Sequence, residues 1–92
     1  MTSTEPSERT SEERYEQLVN LSPSAKYTYD VLQREGTLTQ DELAEQTLLP
    51  KRTVQYALDN LLEKGLVEQA VDASDARRRE YTSREVTRPD DP

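Results

Sequence analysis

The sequence has 92 residues, 32% of them hydrophobic and only five aromatic, all tyrosine, which suits one small domain with a modest core. It has no cysteine, no histidine and no membrane-length apolar run, so we expect a soluble, cytoplasmic protein that holds no metal or cofactor and is not an enzyme. Nineteen acidic residues against twelve basic ones give a net charge of −7, whereas nucleic-acid-binding proteins usually carry a basic surface.

Residues 1–21 are predicted to contain a disordered start and a short N-terminal helix. Residues 1–9 are polar and charged without a period, which is typical of disorder. Thr10 stands three residues before Glu13, as in a capping box, and predicts a helix near residues 11–20. The helix has a narrow apolar stripe, so it either packs on its own domain or pairs two chains. The stripe consists of Tyr15, Leu18 and Val19.

The first helix of the domain proper is predicted to begin at Ser22-Pro23, with serine as the N-cap and proline at the first helical position. Gly36 is expected to end it. Between them, apolar residues recur at helical spacing, which indicates a core helix; they are Ala25, Tyr29 and Leu32. Thr37 and Leu38 can then supply a very short strand.

A second helix is predicted to start at Thr39, because Thr39 and Glu42 have capping-box spacing and Leu38 and Leu43 stand at the positions of a hydrophobic staple. Only two leucines separate its last turn from Pro50, where the next helix starts. A connection this short requires the two helices to cross steeply, which is the geometry of a helix-turn-helix.

The third helix, over residues 50–64, has two different faces. One face is apolar and suits a core; it carries Val54, Leu58, Leu61 and Leu62. The opposite face begins with groups that can hydrogen-bond or stack on a nucleic acid, and it ends in Asp59 and Glu63, which repel phosphate. We therefore expect this helix to meet a partner by its N-terminal end, where free amides and the helix dipole also favour phosphate.

Two strands follow, over residues 66–71 and 78–82, with Tyr81 as the expected core anchor of the second. The segment between them contains no glycine, so we expect a loop longer than a two-residue hairpin turn. Residues 84–92 are predicted to be a disordered tail.

Three runs of this sequence resemble the winged helix-turn-helix of MarR-like and TrmB-like regulators: LTQDELA from Leu38, LPKRTV from Leu49, and LDNLLEKGLV from Leu58. The resemblance covers about residues 22–83. It implies an α+β, mainly α fold, in which a three-helix core carries a two- to three-stranded β-wing. It also implies a wing that reaches a minor groove, through an Asp-x-x-Asp-x-Arg pattern that is matched here by Asp72, Asp75 and Arg77. The sequence departs from the family pattern at Leu48, where glycine is frequent, and at Pro50, where a Ser or Thr cap is common.

These observations favour a homodimeric, sequence-specific transcription regulator that binds double-stranded DNA, with no expectation about a small-molecule effector. The candidate DNA-binding residues are Thr39, Gln40, Pro50, Lys51, Arg52, Thr53, Gln55, Tyr56, Arg77, Arg78 and Arg79. The alternative is a winged helix that binds protein in a transcription or replication assembly. The net acidity fits that alternative, but the acid-rich, lysine-poor composition also resembles that of proteins from salt-accumulating archaea, in which acidic surfaces are ordinary.

Overall fold

The computed structural model describes residues 10–88, except for the side chains of Asp72, Ala76 and Arg77. Its elements, in chain order, are α1 (Ser11–Val19), α2 (Pro23–Glu35), β1 (Leu38–Thr39), α3 (Gln40–Thr47), α4 (Lys51–Glu63), β2 (Val67–Asp72) and β3 (Asp75–Ser83). The three strands form one antiparallel sheet in the order β1-β3-β2. This is the mainly helical winged-helix architecture that the sequence predicts.

The helices begin where the capping signals predict. Thr10 and Glu13 form a reciprocal capping box at the start of α1, and Thr39 and Glu42 form another at the start of α3. In the second box, the Thr39 amide donates to Glu42 Oε1 over 2.8 Å and the Glu42 amide donates to Thr39 Oγ1 over 3.2 Å. The Ser22 side chain accepts the Ala25 amide at the start of α2. The local sequence therefore determines these helix starts.

The core lies where α2, α3 and α4 pack together and against the sheet. The predicted core residues of α2 and α4 are buried, except for Leu62, which is partly buried and packs against the core, and Tyr81 of β3 closes the core from the sheet side. Thr28 is also fully buried, because its hydroxyl donates to the Ser24 carbonyl one turn earlier and so needs no water. The largest fully buried residues are Leu32, Leu43, Val54, Leu58, Leu61 and Leu66.

The segment after β3 differs from the prediction of a disordered tail. Residues 84–88 lie beside α1: the Thr87 amide donates to the Ser11 carbonyl over 3.1 Å, and Arg14 Nε donates to the Glu85 carbonyl over 2.8 Å. Val86 packs against the core, an isolated contact that has no periodic pattern to announce it. The predicted disorder of residues 1–9 and 89–92 lies outside the described residues.

The N-terminal helix packs on its own domain, although none of its residues is fully buried. Leu18 contacts the core, whereas Val19 stays exposed. Tyr29 of α2 anchors the nearby segment, since its hydroxyl donates to the Arg84 carbonyl. None of the helices described between residues 10 and 88 has the length and hydrophobicity needed to cross a membrane.

The hairpin turn also corrects the sequence-based prediction of a longer loop. Asp72 pairs with Asp75, so that only Ala73 and Ser74 form the turn. The next pair joins Val71 to Arg79, which leaves three more residues on β3 than on β2. Neither Ala73 nor Ser74 has a positive φ, so this is not one of the glycine-rich turns whose backbone twist matches that of the strands. The irregular pairing of β2 and β3 next to the turn compensates for this difference in twist.

The turn between α3 and α4 has a left-handed residue that is not glycine. Leu48 adopts φ 61° and ψ 21° at the C-cap of α3, with its amide donating to the Ala44 carbonyl and its side chain 88% exposed. A leucine in this conformation is strained by about 1–2 kcal/mol, and this side chain gains little burial in return.

Replacing Leu48 by glycine should therefore stabilise the protein, raising the free energy of unfolding by about 1 kcal/mol. Urea denaturation followed by circular dichroism measures this difference. Leu48→Ala is the matched control, because it removes the same exposed side chain but keeps the strained Cβ. Equal stability of the glycine and alanine variants would show that strain at residue 48 is not the cause.

Candidate nucleic-acid interface

The first turn of α4 has no side-chain cap. Its N-cap is Pro50, which makes no side-chain hydrogen bond to the following amides, so within the described residues 10–88 the amides of residues 51–53 have no capping side chain. Lys51 and Arg52 are exposed beside these amides, and Thr53 is half-buried. This helix end therefore combines free donors, a positive dipole and two cations, which together favour a phosphate group.

The exposed face of α4 continues from Arg52 to Gln55 and Tyr56. The Tyr56 side chain is 65% exposed, so its ring and hydroxyl are open to a partner and it is not part of the core. Arg52 makes no ion pair or side-chain hydrogen bond with any residue in the described range 10–88. Arg52 is thus an exposed cation at the front of α4 with no ion pair to break within that range.

The start of α3 makes a different contribution from the one predicted. Thr39 is buried and its hydroxyl is engaged in the capping box that starts α3, although the residue also lies at the groove. Gln40 is half-buried, and its Nε2 donates to the Lys51 carbonyl over 3.4 Å. This hydrogen bond holds the beginnings of α3 and α4 together.

An open groove of about 820 Å³ lies between α3, α4 and the two wing strands. It brings together five of the predicted site residues, namely Thr39, Gln40, Gln55, Arg78 and Arg79. Gln55 of α4 and the arginines of β3 therefore border the same groove, whereas α1 lies elsewhere, against α2 and residues 84–88. The other candidate residues of α4 and its N-cap are not in the groove lining; they are Pro50, Lys51, Arg52, Thr53 and Tyr56. The predicted contact of Arg77 falls on a side chain outside the described set.

Acidic residues in and beside this groove engage three of the predicted contacts. Lys51 Nζ lies 3.0 Å from Asp41 Oδ1, and Arg78 Nη2 lies 3.9 Å from Glu42 Oε2. Gln55 Nε2 donates to Asp59 Oδ1 over 3.1 Å, one turn along α4.

The sequence-based selection of site residues missed Asp41 and Glu42. The Gln55 and Asp59 pair has i,i+4 spacing and could have been predicted. The pairing of Asp41 with Lys51 crosses the turn between two helices, and only the folded structure reveals it. Among the side chains that the structure describes, four acids (Asp41, Glu42, Glu45 and Asp59) and two arginines line the groove, so this part of its lining is acidic.

Comparisons with known proteins agree with this architecture. A family model described as MarR family matches residues 20–78. The crystal structure of MarR aligns over 78% of this chain and 51% of its own, with 28% identity and a TM-score of 0.66. The S. aureus MepR-DNA complex aligns over 77% of this chain and 58% of its own, with 31% identity and a TM-score of 0.63.

A more distant structure, Streptococcus pneumoniae FabT in complex with DNA, has 23% identity and a TM-score of 0.65, and it supports the fold alone. It aligns over 71% of this chain and 46% of its own length. The chain therefore spans about half the length of the solved structures that it matches. No match was found among curated proteins.

Proposed function

The chain belongs to the MarR family, and from this premise we propose that it is a sequence-specific, DNA-binding transcription regulator of the cytoplasm. In this proposal the N-terminal end of α4 enters the major groove, and the wing formed by β2 and β3 contacts the adjacent minor groove or backbone. Members of the family are transcription regulators and not enzymes.

The single observation that carries the proposal is the uncapped front of α4, where Arg52 and Tyr56 are exposed next to free backbone amides. Positioning contacts to phosphate come from such amides and cations, while longer polar side chains reach the base edges. In this proposal Arg52 and Gln55 contact base edges or phosphate, and Tyr56 contacts sugar and phosphate. The MepR structure, a DNA complex, supports the same partner class by analogy.

We further propose that two copies act together on a two-fold site. If one chain contacts about three phosphates, a tenfold rise in salt lowers its affinity by about 2.7 decades, or about 3.7 kcal/mol. A single winged helix would then bind weakly, and a dimer roughly doubles the contacts. The composition resembles that of proteins from salt-accumulating archaea, where this cost would be greatest. The exposed apolar edge of α1 at Val19 is where a second copy could be joined.

Titration of the full chain against labelled duplexes tests the proposal. Fluorescence anisotropy with random-sequence and genomic duplexes, over a series of KCl concentrations, should show binding that weakens as salt rises and that prefers some genomic fragments. Sedimentation of the complex should show two chains per duplex. A folded protein with no duplex affinity at any salt concentration would refute the regulator assignment, and one chain per duplex would refute the dimer alone.

The alternative function is a winged helix that binds protein within a transcription or replication assembly. The acidic lining of the groove favours it, because four carboxylates around two arginines repel a polyanion. The same titration separates the two functions, since a protein-binding module should have no affinity for the duplex to lose.

A further inference from the structure

Two ion pairs lie at the front of the groove, and the acidic residue of each belongs to the first turn of α3. Asp41 holds Lys51 of α4, and Glu42 lies close to Arg78 of β3. Glu42 is bifunctional, since its Oε1 accepts the Thr39 amide while its Oε2 faces Arg78. The capping box therefore fixes a carboxylate at the place where the wing and α3 meet.

These pairs contribute little to the stability of the fold. All four side chains are about half or more exposed, and surface ion pairs of this kind are worth about 0–1 kcal/mol. A phosphate can therefore displace either acid at small energetic cost. If the displaced carboxylate then attracts a cation from solution, the number of ions bound changes as well.

We propose that Asp41 and Glu42 act as internal counterions of Lys51 and Arg78 and thereby make DNA binding less dependent on salt. The inference rests on the proposed function. DNA releases about 0.9 of a condensed cation for each phosphate that a protein cation neutralises. If Asp41 or Glu42 captures a cation in the same step, the net release is close to zero. The contribution of Lys51 and Arg78 to the affinity for DNA is then nearly independent of the salt concentration.

The matched test uses Asp41→Asn and Glu42→Gln, separately and together. Both substitutions are nearly isosteric, and glutamine at this position can still accept the Thr39 amide in the capping box. Asp30→Asn is the control, because Asp30 pairs with Arg34 on α2, far from the groove, at the comparable distance of 3.1 Å. It makes the same change in net charge as each single variant.

Anisotropy against one random-sequence duplex, from about 0.1 M to 1 M KCl, should give a steeper slope of log affinity against log salt in the variants. Loss of the Asp41 carboxylate should steepen the slope by about 0.9 per bound chain, which changes the ratio of the affinity at about 0.1 M to that at about 1 M by roughly eightfold. Loss of the Glu42 carboxylate should steepen the slope in the same direction. Asp30→Asn should leave the slope unchanged. In a Lys51→Ala background, Asp41→Asn should no longer steepen it.

The outcomes are distinguishable from failure of the regulator assignment. If the wild-type protein binds duplex and the Asp41 and Glu42 variants share its slope, the counterion inference is wrong and the assignment stands. If neither the wild-type protein nor any variant binds duplex, the regulator assignment is wrong and the inference falls with it. Circular dichroism on each variant verifies that the fold is retained.

Discussion

Replacing Arg52 by alanine should weaken duplex binding by about 1–3 kcal/mol per chain, roughly five- to 150-fold. Arg52 is exposed at the uncapped start of α4 and has no ion-pair partner within residues 10–88, so no existing ion pair has to be broken before it binds DNA. Lys51→Ala should cost less, because Asp41 already neutralises Lys51.

Anisotropy titrations at fixed salt, against a preferred genomic duplex and a random one, measure the loss. An equal loss on both duplexes would assign Arg52 to phosphate, whereas a larger loss on the preferred duplex would assign it to a base edge. The stability of the folded protein should stay within about 0.5 kcal/mol of wild type, as is usual for an exposed substitution.

Arg34→Ala is the matched control for Arg52→Ala. It removes an exposed arginine from α2, where Arg34 pairs with Asp30 outside the groove. If wild-type protein binds duplex and the two arginine variants bind equally well, α4 does not approach DNA by its N-terminal end.

Much of the fold could be predicted because its signals are local. The capping boxes at Thr10 and Thr39 specify their helices within four residues, and the apolar spacing of α4 specifies which face is buried. The wing hairpin was mispredicted because its geometry depends on how β2 and β3 pair rather than on turn residues. A two-residue turn without glycine forms there because the pairing register of β2 and β3 shifts between Val71 and Asp72.

The candidate site was only half predictable for a similar reason. The exposure of Arg52 and Tyr56 follows from helical periodicity, but the pairing of Asp41 with Lys51 depends on how steeply α3 and α4 cross. Thr39 lies at the groove, but its burial and its capping hydrogen bond also depend on the folded structure. Residues 84–88 were assigned to a disordered tail because their contacts with α1 are made mainly by backbone groups, which leave no pattern in the sequence.

Replacing Tyr81 by alanine should have the largest effect on stability, a loss of about 3–5 kcal/mol in the free energy of unfolding. Tyr81 is 4% exposed, and its strand position lies between Leu38 of β1 and Gln69 of β2. Its ring joins the wing to the helical core, so truncation leaves a cavity where the sheet meets the helices. For a domain of this size the melting temperature should fall by roughly 12–40 °C.

Tyr81→Phe is the control, because it keeps the ring and should cost less than about 1.5 kcal/mol. The same variant also tests how the stability of the protein depends on pH. Burial raises the pKa of Tyr81 above its ordinary value of 10.0, with Arg79 lowering it and Asp59 raising it. Above pH 10.0 the unfolded chain loses the Tyr81 proton before the folded protein does, so the free energy of unfolding falls as pH rises.

Urea denaturation from pH 8 to 11 should show a shallower alkaline loss of stability in Tyr81→Phe than in wild type, while Tyr29, whose pKa burial also raises, retains its own share. Wild-type-like stability of Tyr81→Ala would mean that the wing is not joined to the core through this ring. Since the arginines of β3 reach the groove only while β3 is held on the core, the same variant should also weaken duplex binding at temperatures where it is still folded.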